Sequence, residues 1–243
     1  MDKIVVITGA SSGLGLSLTK RFLVDQDCVF GVSKTRRHWK TALSELREGK
    51  QFSLFQLDVT KENSVKRFIH SVLKKSGKID IIINNAGYGG TLKNVEDLSG
   101  SEVLKHFTQN LLSAFVVSKF VIPILKKQKK GLIINISSMA GKRAVPGLFA
   151  YSASKFGMLA LSQCIAKENS NVGFKCIAVC PGGMNTEMRS KIFGPADAEK
   201  QQRTDFVADV IFQISKDQIK VESGGNIVIR HGKITAINPA PEA

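Results

Sequence analysis

Cysteine is scarce in this sequence, and its spacing offers no metal site. The four cysteines lie in apolar surroundings and lack the paired spacing of metal ligands: Cys28, Cys164, Cys176 and Cys180. Reduced, mostly buried thiols are typical of cytoplasmic proteins. We therefore expect no bound metal and a cytoplasmic location.

Long apolar runs, repeats and linkers are lacking as well. No apolar run reaches the roughly 20 residues that a bilayer-spanning helix needs, and Met1–Lys3 leads directly into a strand-like segment. We therefore expect no membrane partner and no signal peptide. Because no repeat, low-complexity segment or linker divides the chain, a single domain is predicted over residues 1–243.

Acidic residues are few compared with basic ones. The sequence has 35 Lys and Arg against 20 Asp and Glu, a formal net charge of +15. Such a charge can attract acidic partners or nucleic acid. The cations are scattered, however, and no nucleic-acid-binding signature or interleaved aromatic residues accompany them. We interpret most of them as solvated faces and helix ends, and we expect no specific nucleic-acid partner.

What is present is a regular alternation of apolar strand-like runs with helical segments. The strand candidates are KIVVIT, CVFGVS, FSLFQL, KIDIIIN, GLIINIS, GFKCIAVC and GNIVIR. Helical periodicity marks residues 61–76, 100–127 and 151–168, with Pro123 expected to kink or break the second segment, and residues 187–216 hold one or two further helices. The alternation predicts an α/β fold, a doubly wound parallel sheet (Rossmann-like) of about seven strands with helices on both faces.

The turn after the first predicted strand is rich in glycine. TGASSGLG runs from Thr8 to Gly15, and its glycines allow a tight turn and a close approach of the backbone to a ligand. The free amide groups and the positive dipole end of the following helix would face this turn. The pattern indicates a phosphate site in a dinucleotide-binding unit.

The second predicted strand lacks an acidic residue at its end. It ends at Ser33 and is followed by Lys34, Thr35, Arg36 and Arg37. An acid at this point would bind a ribose 2′-hydroxyl, whereas cations suit a 2′-phosphate. We therefore favour NADP(H) over NAD(H) as the cofactor; the alternative is an exposed basic loop.

A serine, a tyrosine and a lysine follow the fifth predicted strand. Ser138 comes just after the apolar run, and Tyr151 and Lys155 are four residues apart in a predicted helix, so they share one helix face. An ammonium group near a phenol lowers the pKa of the phenol, which suits proton transfer near neutral pH. The pattern indicates proton transfer to or from an oxygen that Ser138 holds. The alternative is a packing tyrosine beside a solvated lysine.

Six motifs in register extend this pattern. TGASSGLG, NNAG, Asn110, Ser138, YSASK and PGGMNT together resemble the short-chain dehydrogenase/reductase family, in its short single-domain branch. The resemblance covers residues 3–190. It implies a catalytic tetrad made of Asn110, Ser138, Tyr151 and Lys155.

The same resemblance implies a series of contacts to a dinucleotide. They are Gly9, Ser11, Ser12, Gly13, Leu14 and Gly15 at the pyrophosphate and adjoining ribose; Ser33, Lys34 and Arg37 at the 2′-phosphate; Asp58 and Val59 at the adenine; Asn84, Ala86 and Gly87 at the adenosine ribose; Lys155, with Tyr151, at the nicotinamide ribose; and Pro181, Gly182, Met184 and Thr186 at the nicotinamide carboxamide. Hydride chemistry would belong to the cofactor.

The activity implied by the resemblance is NADP(H)-dependent hydride transfer to a small-molecule carbonyl compound or from a secondary alcohol. Tyr151 would exchange a proton with the carbonyl oxygen, and Ser138 would hydrogen-bond that oxygen. Lys155 would lower the pKa of Tyr151, and Asn110 would position a water. Relatives pair through the two long helices that contain Asn110 and Tyr151, which implies a homodimer or homotetramer.

Narrower and alternative functions stay open at this point. Arg143, Arg189 and Lys191 favour an anionic or carrier-linked 3-oxoacyl substrate. The resemblance implies that residues 187–216, in the variable C-terminal part, build a substrate lid. A catalytically idle NADP(H)-binding regulatory or scaffold protein of the same fold is the alternative class. A sugar-nucleotide epimerase or dehydratase also uses Tyr-x-x-x-Lys, but it needs more chain after residue 190 for a sugar-nucleotide domain.

Overall fold

A computed structural model describes residues 2–46 and 51–241 of the chain. Within these residues eight strands form one sheet: β1 (Ile4–Thr8), β2 (Cys28–Ser33), β3 (Phe52–Gln56), β4 (Ile81–Asn84), β5 (Gly131–Ile136), β6 (Phe174–Pro181), β7 (Asn226–Arg230) and β8 (Lys233–Asn238). The strand order is β3-β2-β1-β4-β5-β6-β7-β8, and every neighbouring pair is parallel except β7 with β8.

Helices follow the strands along the chain. In the described residues they are α1 (Gly13–Val24), α2 (Trp39–Leu46), α3 (Glu62–Ser76), α4 (Gly100–His106), α5 (Ser113–Gln128), α6 (Phe149–Glu168), α7 (Glu187–Phe193), α8 (Pro195–Glu199) and α9 (Thr204–Ser215). A π-helical segment, Phe107–Leu112, joins α4 to α5. The doubly wound parallel sheet predicted from the sequence is confirmed.

Both faces of the parallel sheet are buried, which explains its near-continuous apolar strands. Every residue of β1 is buried. Val5 and Ile7 pack on one face with Phe22 of α1, whereas Val6 packs on the other face with Val121 of α5. Because side chains alternate along a strand, residue parity decides which helix layer each one meets.

The strand order reverses between β1 and β4. From β1 the chain adds β2 and β3 on one side, and then it returns to add β4 and the later strands on the other side. The loops after β1 and β4 therefore leave the sheet in different directions. They open a crevice at the carboxyl ends of the strands, where doubly wound folds bind ligands.

The eighth strand goes beyond the seven predicted from the sequence. β8 pairs with β7 across a two-residue turn, in which His231 and Gly232 have φ angles of 52° and 67°. Two positive φ angles suit the twist of a tight hairpin. Ile234 and Ile237 of β8 remain exposed at the edge of the sheet. Because β8 is an edge strand, it lacks the continuous apolar run by which the buried strands were predicted.

Residues Gly100–Gln128 form one helical segment of 29 residues. Pro123 lies inside α5, and the helix does not break there. The most apolar window of this segment has a mean hydropathy of 1.4, which by length and composition suits a membrane span and corrects the expectation that no stretch is long enough. Within the fold, 44% of that window is buried, and Val117, Val121 and Leu125 belong to the core. A core helix of a soluble fold passes the same test, so this is weak evidence for a membrane.

The segment predicted as a substrate lid contains three helices, where one or two were expected. α9 packs against α1 in the core, where Phe22 and Phe212 meet edge to face at 5.3 Å and Val207 and Ile211 are fully buried. Residues of α7 line the cavities described below. We therefore retain the lid prediction only for α7 and the adjoining α8.

Candidate active site

A continuous cleft lies at the carboxyl ends of the parallel strands. Its main cavity, of about 570 Å³, runs past the glycine-rich turn to Tyr151 and Lys155. A second cavity, of about 370 Å³, shares Tyr151 and Met184 with the first and extends under α7. A third, of about 250 Å³, reaches the ends of β2 and β3. Tyr151 thus stands where the first two cavities meet.

The glycine-rich turn has the geometry of a phosphate cradle. Gly9 and Gly13 have φ angles of +69° and +51°, which L side chains rarely adopt. A Cβ on Gly15 would lie 2.0 Å from the Gly9 carbonyl oxygen, so the start of α1 packs directly on the turn. The N-cap Ser12 makes no side-chain capping hydrogen bond, and the amide groups of the first helical turn have no intrahelical partner.

These features fit the pyrophosphate of a dinucleotide. Gly9, Ser12, Gly13 and Leu14 line the main cavity, as the resemblance implied, and Ser11 lines the third cavity. Gly15 lines neither the main nor the third cavity; its role is to let the start of α1 pack directly on the turn.

The end of the cleft predicted to hold the adenosine, called the adenosine end below, contains the predicted residues at and after the ends of β2 and β3. Ser33, Lys34, Asp58 and Val59 line the third cavity together with Ala86 and Gly87 of the loop after β4: the last residue of β2 and five residues from three loops. The Lys34 ammonium lies 2.9 Å from the Asp58 carboxylate. Desolvation alone would raise the pKa of Asp58, but hydrogen bonds from Thr60 and Lys34 lower it overall, so this carboxylate stays ionised.

Arg37 lies elsewhere than the other two predicted 2′-phosphate residues. It lines the main cavity, and its Nη2 atom donates to the Glu187 carboxylate of α7 at 2.7 Å. Ser33 and Lys34 are therefore together at the adenosine end, whereas Arg37 bridges across the cleft to α7.

The proposed catalytic side chains Ser138, Tyr151 and Lys155 meet at the junction of the cavities. Ser138 lines the second cavity and Lys155 lines the main cavity, while Tyr151 lines both. The Ser138 hydroxyl accepts a hydrogen bond from the Ala140 amide at 3.1 Å. Lys155 Nζ lies 5.8 Å from the centroid of the Tyr151 ring and donates to the Ile136 carbonyl at 2.8 Å. The strand end of β5 and the first turns of α6 thus place all three side chains around one point.

The pKa values of Tyr151 and Lys155 differ from their ordinary values in ways that correct one prediction from the sequence. Desolvation raises the pKa of Tyr151, and a hydrogen bond with Ser138 only partly opposes this. Burial also lowers the pKa of Lys155 to about 8. The predicted lowering of the Tyr151 pKa by Lys155 is not found: burial and the Ser138 hydrogen bond set this pKa, and the Lys155 ammonium, 5.8 Å from the centroid of the phenol ring, donates to the Ile136 carbonyl.

Asn110, the fourth member of the implied tetrad, is completely buried in the π-helical segment and lines none of the three cavities described above. Its Nδ2 atom donates to the Tyr88 carbonyl at 3.0 Å and to Ser154 Oγ at 2.8 Å. Its Oδ1 atom accepts from the Tyr88 amide at 2.6 Å. The side chain therefore joins the helix to the loop after β4, and it keeps one acceptor lone pair beyond these bonds.

Of the two adjacent asparagines at the end of β4, the structure brings Asn85, which follows the strand, to the cleft, rather than the predicted Asn84, which is its last residue. Asn84 is buried on the α5 side of the sheet, where its Nδ2 atom donates to Ser118 and Asn135. Asn85 lines the main cavity, and its Nδ2 atom donates to the Thr8 carbonyl at 2.9 Å. Strand parity is the signal that could have separated them, since the side chain of Asn84 continues the face of Ile82.

The segment after β6 lies between the two larger cavities. Pro181 and Gly182 line the second cavity, and Met184 and Thr186 line both. The cleft also includes residues that sequence reasoning did not assign to the cofactor, among them Thr35 and His38, which belong to the loop after β2.

Comparison with known proteins gives the class of the chain. Residues 3–196 match the family model for short chain dehydrogenase. Oxidoreductase BOA17 of Botryotinia fuckeliana (strain B05.10) is 34% identical over 233 residues, which cover 95% of this chain and 84% of that protein.

Two solved structures combine this fold with a bound dinucleotide. ElxO with NADP bound superimposes with a TM-score of 0.85 at 26% identity, covering 94% of this chain and 96% of that one. NAD⁺-bound xylitol dehydrogenase superimposes with a TM-score of 0.84 at 26% identity, covering 94% and 97% of the two chains.

The fold and these matches place the chain among oxidoreductases, and the two superimposed relatives carry a nicotinamide dinucleotide. The chain belongs to the short chain dehydrogenase family.

Proposed function

We propose that the protein is an NADP(H)-dependent oxidoreductase that interconverts a small carbonyl compound and the corresponding secondary alcohol. The observation that carries the proposal is the position of Tyr151 at the junction of two cavities. Ser138 lies on the substrate side of this junction and Lys155 on the cofactor side. A proton donor placed there can reach a substrate oxygen while the cofactor occupies the main cavity.

The cofactor would lie along the main and third cavities. Gly9, Ser12 and Gly13 would hold its pyrophosphate, and Lys155 would hold the nicotinamide ribose. A bound nicotinamide supplies or accepts the hydride. The protein contributes the cradle, the orientation of the ring by the segment after β6, and the proton.

In the reductive direction, Tyr151 gives its phenolic proton to the carbonyl oxygen. The raised pKa of this buried phenol keeps it protonated at neutral pH, which suits a donor. Ser138 donates its hydroxyl proton in a hydrogen bond to the same oxygen and stabilises the charge that develops there. Lys155, with a pKa of about 8, can return a proton toward the phenol near neutral pH.

The preference for NADP(H) rests on the end of β2. Ser33 occupies the position where an acidic residue would bind a ribose 2′-hydroxyl, and Lys34 lies next to it in the same cavity. Lys34 is about half exposed and paired with Asp58, so a 2′-phosphate would recruit a cation that is already held near the site. Relatives of both cofactor types superimpose on the chain, as the NADP of ElxO and the NAD⁺ of xylitol dehydrogenase illustrate.

Turnover measured with both reduced cofactors tests the proposal. We would follow the loss of NADPH and NADH absorbance in parallel against ketones, aldehydes, diketones and 3-oxoacyl thioesters. Tyr151→Phe is expected to keep cofactor binding and to lose at least a hundredfold in kcat. Tyr88→Phe is the matched control, since these are the only two tyrosines of the chain and Tyr88 engages Asn110 through its backbone alone.

Two outcomes would contradict the proposal. An active Tyr151→Phe variant would remove the phenol from the mechanism. Tight NADPH binding without turnover on any substrate of the panel would instead favour the catalytically idle regulatory protein.

We extend the proposal to a homodimer or homotetramer. Leu112, Phe115 and Phe156 are each at least 40% exposed on the π-helical segment, α5 and α6. A second copy could cover these side chains, and burying the part of each that is still exposed is worth roughly 0.5–1 kcal/mol. Phe156→Glu should shift the sedimentation coefficient toward that of a monomer, and an unchanged coefficient would place the interface elsewhere.

A further inference from the structure

The walls of the second cavity carry charge of one sign. Its basic lining residues are Arg143, Arg189, Arg230 and His231, and among the described residues no Asp or Glu lines it. Within the described residues, the guanidinium groups of Arg143 and Arg230 make neither an ion pair nor a hydrogen bond. The arginines that do form ion pairs there are Arg21, Arg37, Arg189 and Arg203. Two cationic side chains in the substrate cavity are therefore uncompensated.

Two of the three cations singled out in the sequence are already neutralised. Arg189 binds Asp197 through two hydrogen bonds, of 2.5 Å and 3.0 Å, and its guanidinium stacks on Phe193 at 3.7 Å. Lys191 pairs with Glu187 at 2.7 Å and lines the main cavity. Of the original three, only Arg143 offers an uncompensated charge to a substrate.

Arg230 was not singled out in the sequence, and the fold holds it in place. It is the last residue of β7, directly before the β7–β8 turn. The Gln202 side chain braces this hairpin by donating to the Ile229 carbonyl at 3.0 Å and accepting from the Gly232 amide at 3.2 Å. A Cβ on Gly182 would lie 3.2 Å from Arg230 Cγ, so the stem of Arg230 covers the segment that would orient the nicotinamide.

We propose that Arg230, together with Arg143, forms an anion-recognition site in the substrate cavity, and that the substrate carries an acidic group besides its carbonyl or hydroxyl group. This inference rests on the proposed function for the identity of the reacting group. A guanidinium group binds a carboxylate, sulfonate or phosphate through two parallel hydrogen bonds. Cations in a cavity without acidic lining also concentrate anions there.

The size of the cavity narrows the class further. At about 370 Å³, it lies at the small end of the roughly 300–1,000 Å³ typical of ligand pockets. A compact oxo acid or hydroxy acid fits this volume better than a long acyl chain.

The test compares substrates that differ in charge. Three acids, 3-oxobutanoate, 2-oxopropanesulfonate and 2-oxopropyl phosphate, are compared with the neutral methyl 3-oxobutanoate. In Arg230→Gln, kcat/KM for the preferred acid should fall at least tenfold while the value for the ester stays within about twofold. Arg143→Gln should act in the same direction, and the best of the three acids identifies the acidic group.

Matched controls remove the same charge from neighbouring residues. Lys142→Gln, next to Arg143, and Lys233→Gln, on the hairpin of Arg230, alter lysines that do not line the cavity. Both variants should keep the acid-to-ester ratio of the wild type. If Arg230→Gln fails to fold, Arg230→Lys keeps the charge and should lower the ratio by losing the paired hydrogen bonds alone.

Binding of the acids gives a readout that needs no turnover. Calorimetric titration of the three acids into the protein with NADP⁺ should show binding to the wild type that weakens at least tenfold in Arg230→Gln. If this holds while no substrate turns over, the proposed function fails and the anion site stands. If neutral ketones turn over as well as the acids, with no effect of Arg230→Gln, the function stands and the anion site is refuted. If the protein shows neither turnover nor binding of the acids that depends on Arg230, the anion site is refuted as well.

Discussion

The Arg37 guanidinium and the Glu187 carboxylate lie 2.7 Å apart and join the loop after β2 to the first residue of α7. The contact crosses the main cavity, which both residues line. Glu187 also contacts His38 at 3.3 Å and Lys191 at 2.7 Å, and the Lys191 hydrogen bond contributes most to lowering its pKa. The Glu187 carboxylate is therefore paired with Arg37, one of the cations predicted from the sequence to bind a 2′-phosphate.

This arrangement predicts that Glu187 competes with the 2′-phosphate of NADPH for Arg37. In Glu187→Gln the competing charge is absent, so the Kd for NADPH should fall two- to fivefold while the Kd for NADH stays unchanged. The effect is bounded by the roughly 0.2–1 kcal/mol that an exposed ion pair contributes. Fluorescence titration with each cofactor measures it.

Glu62→Gln is the matched control for this prediction. Glu62 is likewise the first residue of a helix, and it forms an exposed ion pair with Lys119 at 2.8 Å, but it does not line the cleft. An equal change in affinity for NADH and NADPH in Glu187→Gln would show that Arg37 does not reach the 2′-phosphate.

Burial of Lys155 predicts a pH-dependent difference in stability. Its pKa falls from 10.5 to about 8 in the folded state, so between these values the unfolded chain binds more protons than the folded one. Stability then rises with pH through this window, and below about pH 8 the buried charge destabilises the fold. Relative to Lys155→Met, the wild-type free energy of unfolding should increase by about 2 kcal/mol from about pH 6 to about pH 9.5.

The unfolding free energy of the wild type must be compared with that of Lys155→Met, because other buried groups make the fold less stable as the pH rises. Burial raises the pKa of Cys180 to about 11 and also raises that of Tyr151, which lowers stability as the pH increases. Both groups are present in wild type and variant, so the effects of their burial cancel in the difference, and only the smaller lowering of the Cys180 pKa by the Lys155 charge is lost in the variant. A difference in urea-unfolding free energy that does not change with pH would contradict a lowered Lys155 pKa.

The contact between Gly15 and the turn predicts that even a methyl group is excluded there. In Gly15→Ala the added Cβ would meet the Gly9 carbonyl oxygen at 2.0 Å and Asn85 Nδ2 at 2.7 Å, so the turn or the helix must move. We expect at least a hundredfold loss of NADPH affinity and a destabilisation of about 2–3 kcal/mol, measured by titration and by urea unfolding. Gly100→Ala, with no atom near its Cβ position, should be neutral or slightly stabilising.

Much of the fold followed from sequence pattern, because buried parallel strands produce continuous apolar runs. The position of α9 was also encoded: Val207, Val210, Ile211 and Ile214 are spaced for one helix face, and all four are buried. That spacing predicts a core helix, whereas the family resemblance places the segment in the substrate lid. β8 could not be found this way, since an exposed edge strand has a mixed composition.

The site was harder to predict wherever its chemistry depends on the distances between side chains of different loops. The motifs predicted that Ser138, Tyr151 and Lys155 converge. They could not predict that Lys155 would bond a backbone carbonyl, nor that Glu187 would engage Arg37 from 150 residues away along the chain. Both contacts depend on how loops from different strands meet, which local pattern does not encode.

The hydrogen bonds of Asn110 lead to the last prediction. Asn110→Ala would leave the Tyr88 amide and carbonyl and the Ser154 hydroxyl without these partners in a buried region. Unsatisfied buried groups cost about 1–3 kcal/mol each, so we expect a loss of roughly 3 kcal/mol, which corresponds to a decrease in Tm of about 6–12 °C for a chain of this size. Thr108→Ala, in the same π-helical segment, should change Tm by less than about 2 °C.

If Asn110→Ala kept its Tm and lost only turnover, the main role of Asn110 would be to position the water implied by the family resemblance. A large decrease in Tm would instead show that the side chain first of all fixes the loop after β4, on which Gly87 and Tyr88 of the main cavity depend.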